Sequence, residues 1–127
     1  MSKSFEKIVA SLELCKLIPA GEFEDTALVW RERIGNISRD DWVKFRAPED
    51  ISYKVESAEV NYFPAPTLAE IRRELRNLSV NVIDGAITVS CRIDPEKTLS
   101  ETARDDNDVT AAALRLWLMV KGIEVNR

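Results

Sequence analysis

Apolar positions in this chain fall into short runs separated by turn chemistry, and the period of each run sets the element it predicts. Leu12, Cys15 and Ile18, with Leu14 beside them, recur at helical spacing and predict a first helix over residues 11–18, starting at Ser4 at its longest. Pro19 ends it, since it lacks an amide hydrogen and disfavours α geometry at Ile18. Gly21 supplies a permissive residue for the exit. Residues 26–34 fit two periods: Phe23, Ala27, Trp30 and Ile34 line a helical face, whereas Leu28, Trp30, Glu32 and Ile34 line a strand face. Thr26, Val29 and Trp30 favour the strand, and Gly35-Asn36 reads as the turn after it.

Residues 40–50 read as loop around one short apolar piece, Trp42-Val43-Lys44-Phe45. Ile51, Tyr53 and Val55 alternate with Ser52, Lys54 and Glu56, the pattern of a half-buried strand. Val60-Asn61-Tyr62 extends the sheet, and Phe63-Pro64-Ala65-Pro66 must be extended because each proline fixes its own φ and restricts its predecessor. Thr67-Leu68-Ala69-Glu70 fits a capping box that opens a second helix. Leu68, Ile71, Leu75 and Leu78 form its apolar stripe, and Arg72, Arg73 and Arg76 lie on the other side.

Asp84-Gly85 between two β-branched runs, residues 80–83 and 86–89, predicts a two-residue hairpin turn. Its second strand runs to Ile93 and stops at Asp94-Pro95. Residues 97–107 are polar, with a helical turn opened by Thr98 and Glu101. The last helix starts at Asp108 as its cap and runs to Val120, with Lys121 at its negative end and Gly122 as its C-cap. Only Thr110 and Arg115 interrupt its apolar surface, so it is buried on more than one side: either it is the spine of the fold, or part of it faces a partner. The elements sum to an α+β fold, an antiparallel meander or hairpin with two to three helices packed on it, in one domain over residues 1–127.

Composition narrows the chemistry. The 127 residues include no histidine, the usual general base near neutral pH and the commonest metal ligand. Catalytic triads built on imidazole and His-ligated zinc are thereby excluded. The two cysteines, Cys15 and Cys91, form no CxxC pair and each sits among apolar neighbours; they read as buried free thiols in a reducing cytoplasm, with a disulfide as the lesser alternative. Four glycines give little material for a phosphate loop. The acidic run Asp105-Asp106-Asn107-Asp108 lacks calcium-loop spacing and reads as negative charge gathered at a helix start. Glu22, Glu24 and Asp25 read as a solvated loop. No catalytic residue, cofactor, metal or small-molecule ligand is expected. Residues 1–10 carry Lys3, Glu6 and Lys7 and hold no long apolar stretch, so neither a secretory leader nor a membrane span is expected, and the cytoplasm is the expected compartment.

The arginines carry the second function class. Arg72, Arg73 and Arg76 share a helix face, Arg31 and Arg33 flank Trp30, and Trp42-Val43-Lys44-Phe45-Arg46 interleaves aromatic and basic residues as some nucleic-acid surfaces do. With residues 26–34 helical, helices followed by the hairpin would fit a winged-helix domain. The net charge of −4 opposes binding to a phosphate backbone, and Arg73 has Glu70 at helical spacing to pair with.

Three segments stand out together: Leu14-Cys15-Lys16-Leu17 with Gly21 and Asp25-Thr26-Ala27-Leu28-Val29-Trp30; Phe63-Pro64-Ala65-Pro66-Thr67-Leu68-Ala69-Glu70-Ile71; and Ala111-Ala112-Ala113-Leu114-Arg115-Leu116-Trp117-Leu118. In this order they resemble small proteins of unassigned molecular role from bacterial phages, prophages and related mobile elements. The resemblance implies a helix ending in Gly, a strand ending in Trp, a Pro-Ala-Pro-Thr-Leu helix start and an Ala-rich helix carrying Trp. It brings no catalytic residues, and residues 36–50 depart from it. The expected function is therefore non-enzymatic action by protein–protein contact, as a homodimer or with another protein, through the last helix or an edge strand. Leu114, Trp117 and Leu118 are the contact residues expected if they do not fit inside the monomer. Nucleic-acid binding through Arg72, Arg73 and Arg76 is the alternative.

Overall fold

In a computed structural model of the chain, which describes residues 7–33, 41–48, 60–104 and 108–125, Ser11 caps a one-turn helix α1 (Leu12–Cys15), its hydroxyl accepting from the Leu14 N–H at 3.4 Å. The helix is shorter than the apolar spacing predicts. Leu17 and Ile18 donate to carbonyls three residues back, at 3.1 and 3.2 Å, so the chain tightens into a turn before Pro19. Gly21 then takes φ +92 at the exit.

Residues 28–33 of the ambiguous stretch form the strand: β1 (Leu28–Arg33) lies between β2 (Trp42–Phe45) and β3 (Val60–Pro64) in an antiparallel sheet of order β2-β1-β3. Trp30 stands opposite Val43 on one side and Phe63 on the other, and all three are buried in one row across the sheet. The stretch 42–45, expected as an apolar piece within a loop, is therefore a strand. Its four residues bury only Val43, too little alternation to show in the sequence. Pro64 ends β3 and Ala65-Pro66 continues extended, as the prolines require. The turn expected at 35–36, the strand expected at 51–56 and the acidic positions 105–107 lie outside the described residues.

The capping box forms. The Glu70 N–H donates to Thr67 Oγ1 at 3.3 Å and the Thr67 N–H to Glu70 Oε1 at 2.8 Å, opening α2 (Leu68–Glu74). Glu70 Oε2 accepts a third bond, from the Ala27 N–H at 3.0 Å, so one carboxylate ties the start of α2 to the start of β1. Ile71 and Leu75 are buried as the stripe predicts, but Leu78 is not part of it. Leu75 leaves helical geometry, and Leu78 opens β4.

β4 (Leu78–Ile83), β5 (Ala86–Asp94) and β6 (Lys97–Ala103) form a second antiparallel sheet in the order β4-β5-β6. The β4–β5 turn is the expected one, with Asp84 at φ 53 and Gly85 at φ 79. Residues 97–103, expected as polar chain with a helical turn from Thr98 and Glu101, are instead the strand β6. The register aligns Val82, Ile87 and Ala103 in one row, Val80, Val89 and Glu101 in the next, and Leu78, Cys91 and Leu99 in a third. These rows face α3 (Val109–Val120), while Ser79, Asn81, Thr88, Ser90, Ser100 and Thr102 occupy the opposite face.

α3 is the spine. The β5–β6 face packs on it from one side, and α1 and α2 also lie against it. It ends as predicted: Gly122 at φ +79 allows the Gly122 N–H to reach Met119 O at 3.0 Å and the Ile123 N–H to reach Leu118 O at 2.9 Å, satisfying two orphan carbonyls. It starts where expected, with Asp108 at the N-cap position, but the Asp108 side chain makes no capping bond to the helix. The Phe23 and Trp117 rings meet at 4.7 Å, and one core cluster joins residues of both sheets to α1, α2 and α3. The α+β class with antiparallel sheets is thus what the chain adopts, with two three-stranded sheets and three helices among the described residues.

Candidate functional site

The ionisable groups with the most structured surroundings lie where β6 meets α3. Glu101 points inward from β6, and its buried carboxylate accepts from Arg115 Nε on α3 at 2.8 Å. Arg115 also reaches Asp108 Oδ2 at 3.7 Å, and that same oxygen accepts from the Arg104 backbone N–H at 3.0 Å with Arg104 Nε at 3.5 Å. Asp108 thus turns away from the helix it was expected to cap and closes the corner between β6 and α3. Burial pushes its carboxyl up, but the Arg104 amide and guanidinium and the Arg115 charge together outweigh that and hold it below its ordinary 3.8.

A carboxyl with a lowered native value stabilises the fold fully above its unfolded value and loses that contribution as pH falls through the native one. Asp108→Asn is therefore expected to lower the urea midpoint at pH 7. The difference from the parent should shrink below the ordinary carboxylate value and vanish in stronger acid. A difference that stays constant down to acid pH would show that the charge of Asp108 contributes nothing.

An open groove of about 810 Å³ runs past this network, with Ser11, Glu13, Leu14 and Leu17 on the α1 side and Ala111 and Arg115 on the α3 side. Three of its charges, Arg104, Asp108 and Arg115, answer one another. Trp30 Nε1, also at the groove, is engaged by Ala10 O at 2.9 Å, and the same carbonyl accepts from Cys15 Sγ at 3.7 Å. Both cysteines are free and buried, and burial pushes both thiols up, against a smaller opposing effect of Trp30 at Cys15. They stay protonated, which makes them poor nucleophiles. Among the described residues no three His, Cys, Asp or Glu side chains gather as metal ligands.

The three side chains expected at a partner contact lie inside the chain's own core: Leu114 and Leu118 are 0% exposed and Trp117 is 1% exposed. Sheet, α1 and α2 together cover the surface the sequence left open, so these residues offer nothing to a partner. Arg72, Arg73 and Arg76 are exposed at the end of α2 and in the turn after it, and Arg73 stands 3.7 Å from Glu70, the pairing expected from their spacing. The winged-helix arrangement required a helix at 26–34, and residues 28–33 of that segment are the strand β1. In the interleaved stretch 42–46, Val43 is buried and Phe45 is exposed, while the aromatic and basic side chains at 42, 44 and 46 engage other groups of the fold. Arg31 stacks on Trp42 at 4.2 Å and Lys44 sits over Tyr62 at 5.3 Å. Arg46 donates to Thr26 O, Thr26 Oγ1 and Phe23 O at 2.8, 2.7 and 3.1 Å.

Sequence reasoning passed over the most exposed apolar feature, the β4 end of the hairpin. Val82 and Ile83 are 67% and 65% exposed, and among the described residues β4 is the end strand of its sheet. The signal was present in Leu78-Ser79-Val80-Asn81-Val82-Ile83, six residues with neither charge nor proline, but it served only to place the turn. Compared with known proteins, the chain matches no family model, no curated protein and no solved structure.

Proposed function

We propose that this chain is a non-enzymatic protein of phage or mobile-element type that acts by protein–protein contact, and that it makes the contact along β4. The observation that carries the reading is the open edge of β4, which ends in the exposed Val82 and Ile83. An end strand presents unpaired N–H and C=O groups, and an extended segment of a partner satisfies them by adding a strand. Pairing supplies affinity through the backbone, and alternate side chains supply selectivity. The resemblance to phage and mobile-element proteins supports the biological setting, and the cytoplasm is part of the same proposal. Among the described residues no helix is long and apolar enough to cross a membrane.

The test is a selection of displayed peptides on the immobilised protein, repeated with Val80→Pro. Proline at an edge position whose N–H faces outward leaves the internal ladder intact and blocks an added strand. Extended apolar peptides that bind the parent and bind the variant about tenfold or more weakly are the expected result. Peptides indifferent to Val80→Pro would remove β4 as the contact.

A further inference from the structure

The partner's identity rests on that reading and goes one step past it. We propose that two copies of this chain associate by antiparallel pairing of β4 with β4, Val80 opposite the partner's Val80, joining two three-stranded sheets into one of six strands.

The edge itself points this way. Of the four strands at sheet ends among the described residues, β2 is four residues long and carries Lys44, β3 ends in Pro64, and β6 carries Lys97 and packs beside α3. Length, charge, proline and cover are the devices that discourage edge pairing, and β4 has none of them. Ile83 and Ala86 pair across the two-residue turn, so the alternation of an antiparallel ladder directs the N–H and C=O of Leu78, Val80 and Val82 to the open side. Consistently, the Leu78 N–H turns back to Leu75 O at 3.2 Å instead of meeting β5. The open edge therefore offers both groups of Val80 and of Val82, and the carbonyl of Leu78.

Register follows from those groups. A two-fold axis relating side-by-side antiparallel strands stands perpendicular to the sheet, so both copies keep their helices on the same face. Centred on Val80, it sets Val80 against the partner's Val80, Leu78 against the partner's Val82 and Ser79 against the partner's Asn81. The apolar row continues into the apolar row, the polar row into the polar row, and about four backbone hydrogen bonds form. Centred on Asn81 instead, the pairing would set Ser79 against the partner's Ile83.

Charge agrees with the Val80-centred register. The chain carries −4, which opposes self-association, but β4 itself is neutral. The nearest flanking charges are Arg76 before the strand and Asp84 after it. This register brings Arg76 to the level of the partner's Asp84, and symmetry makes the pair twice. The arginine set read in the sequence as a nucleic-acid surface thus contributes one member to a protein interface.

The experiment is sedimentation equilibrium of the full chain from micromolar to millimolar concentration, with variants. A concentration-dependent dimer of twice 14.4 kDa is expected. Val80→Pro removes both hydrogen bonds at the axis and is expected to weaken the dimer about tenfold or more, with unchanged circular dichroism. Val82→Lys, at an exposed site where lysine does not threaten folding, gives the same direction independently of the backbone. A mixture of Ser79→Cys and Asn81→Cys chains is expected to oxidise to a mixed disulfide, while neither alone crosslinks, because only those two positions stand opposite. A monomer at every concentration overturns the dimer and leaves strand addition standing if the Val80→Pro-sensitive peptides persist; indifferent peptides would remove both. A dimer unmoved by either β4 variant, or crosslinking of one cysteine variant with itself, overturns the proposed interface.

Discussion

Leu118→Glu is expected to unfold the chain. The side chain is fully enclosed on α3, the helix that carries the β5–β6 face and both shorter helices. Losing the leucine's packing costs about 2–5 kcal/mol, and a carboxylate in its place adds several more, whether it stays charged or is forced to take a proton. Typical domains hold about 5–15 kcal/mol in total. Circular dichroism and urea titration read the result as lost cooperative structure. A folded Leu118→Glu protein with a lower association state would instead return this helix face to the role of a contact.

Glu101→Ala is expected to have the next largest effect. Arg115 is 19% exposed at its side chain, and the substitution takes away its 2.8 Å partner while leaving the cation under the sheet. Breaking one side of a buried ion pair costs about 3–5 kcal/mol where the survivor has no other partner; Arg115 keeps Asp108 at 3.7 Å, so the loss here is expected near or below the lower end of that range. Replacing both, as Glu101→Leu with Arg115→Met, should recover most of that loss, since the pair's own desolvation cost disappears with it. The four proteins close a double-mutant cycle by urea denaturation. A double variant as unstable as Glu101→Ala would assign the cost to the shape of the corner rather than to its charges.

What was legible in the sequence was what short stretches decide by themselves. Thr67 and Glu70 satisfy each other three residues apart, Asp84-Gly85 suits a turn with positive φ at both central residues that closes a two-residue hairpin, and Gly122 ends α3 by its own conformational freedom. Elements decided by distant partners were harder to see. β6 read as polar chain because Glu101 occupies an inward position, where it pairs with Arg115 on another element. β2 is a strand because Val43 completes a row begun by Phe63 and Trp30, which no window around residue 43 contains. Leu78 continued the spacing of α2 and yet opened β4, since its row partners are Cys91 and Leu99.

The candidate site divides the same way. Exposure of Arg72, Arg73 and Arg76 was readable from the face they share. Whether Leu114, Trp117 and Leu118 face a partner depends on how much sheet the rest of the chain can bring over them. β6 supplied the part that sequence reasoning had omitted. The open edge of β4 was equally out of reach, because being last in a sheet is a property of topology.

The succession of β4, β5 and β6 through tight turns also bears on the order in which the molecule assembles. Each of these strands pairs with its immediate neighbour in the chain, so the meander closes only small loops before its contacts are gained. The bridge between Val9 and Thr67 closes nearly half the chain, as does the bond from Ala27 to Glu70 on a smaller scale. Chain entropy therefore favours a nucleus of hairpin, β6 and α3, onto which the amino-terminal segment docks late. During synthesis that segment leaves the ribosome first, and it waits for the surface that will bury it.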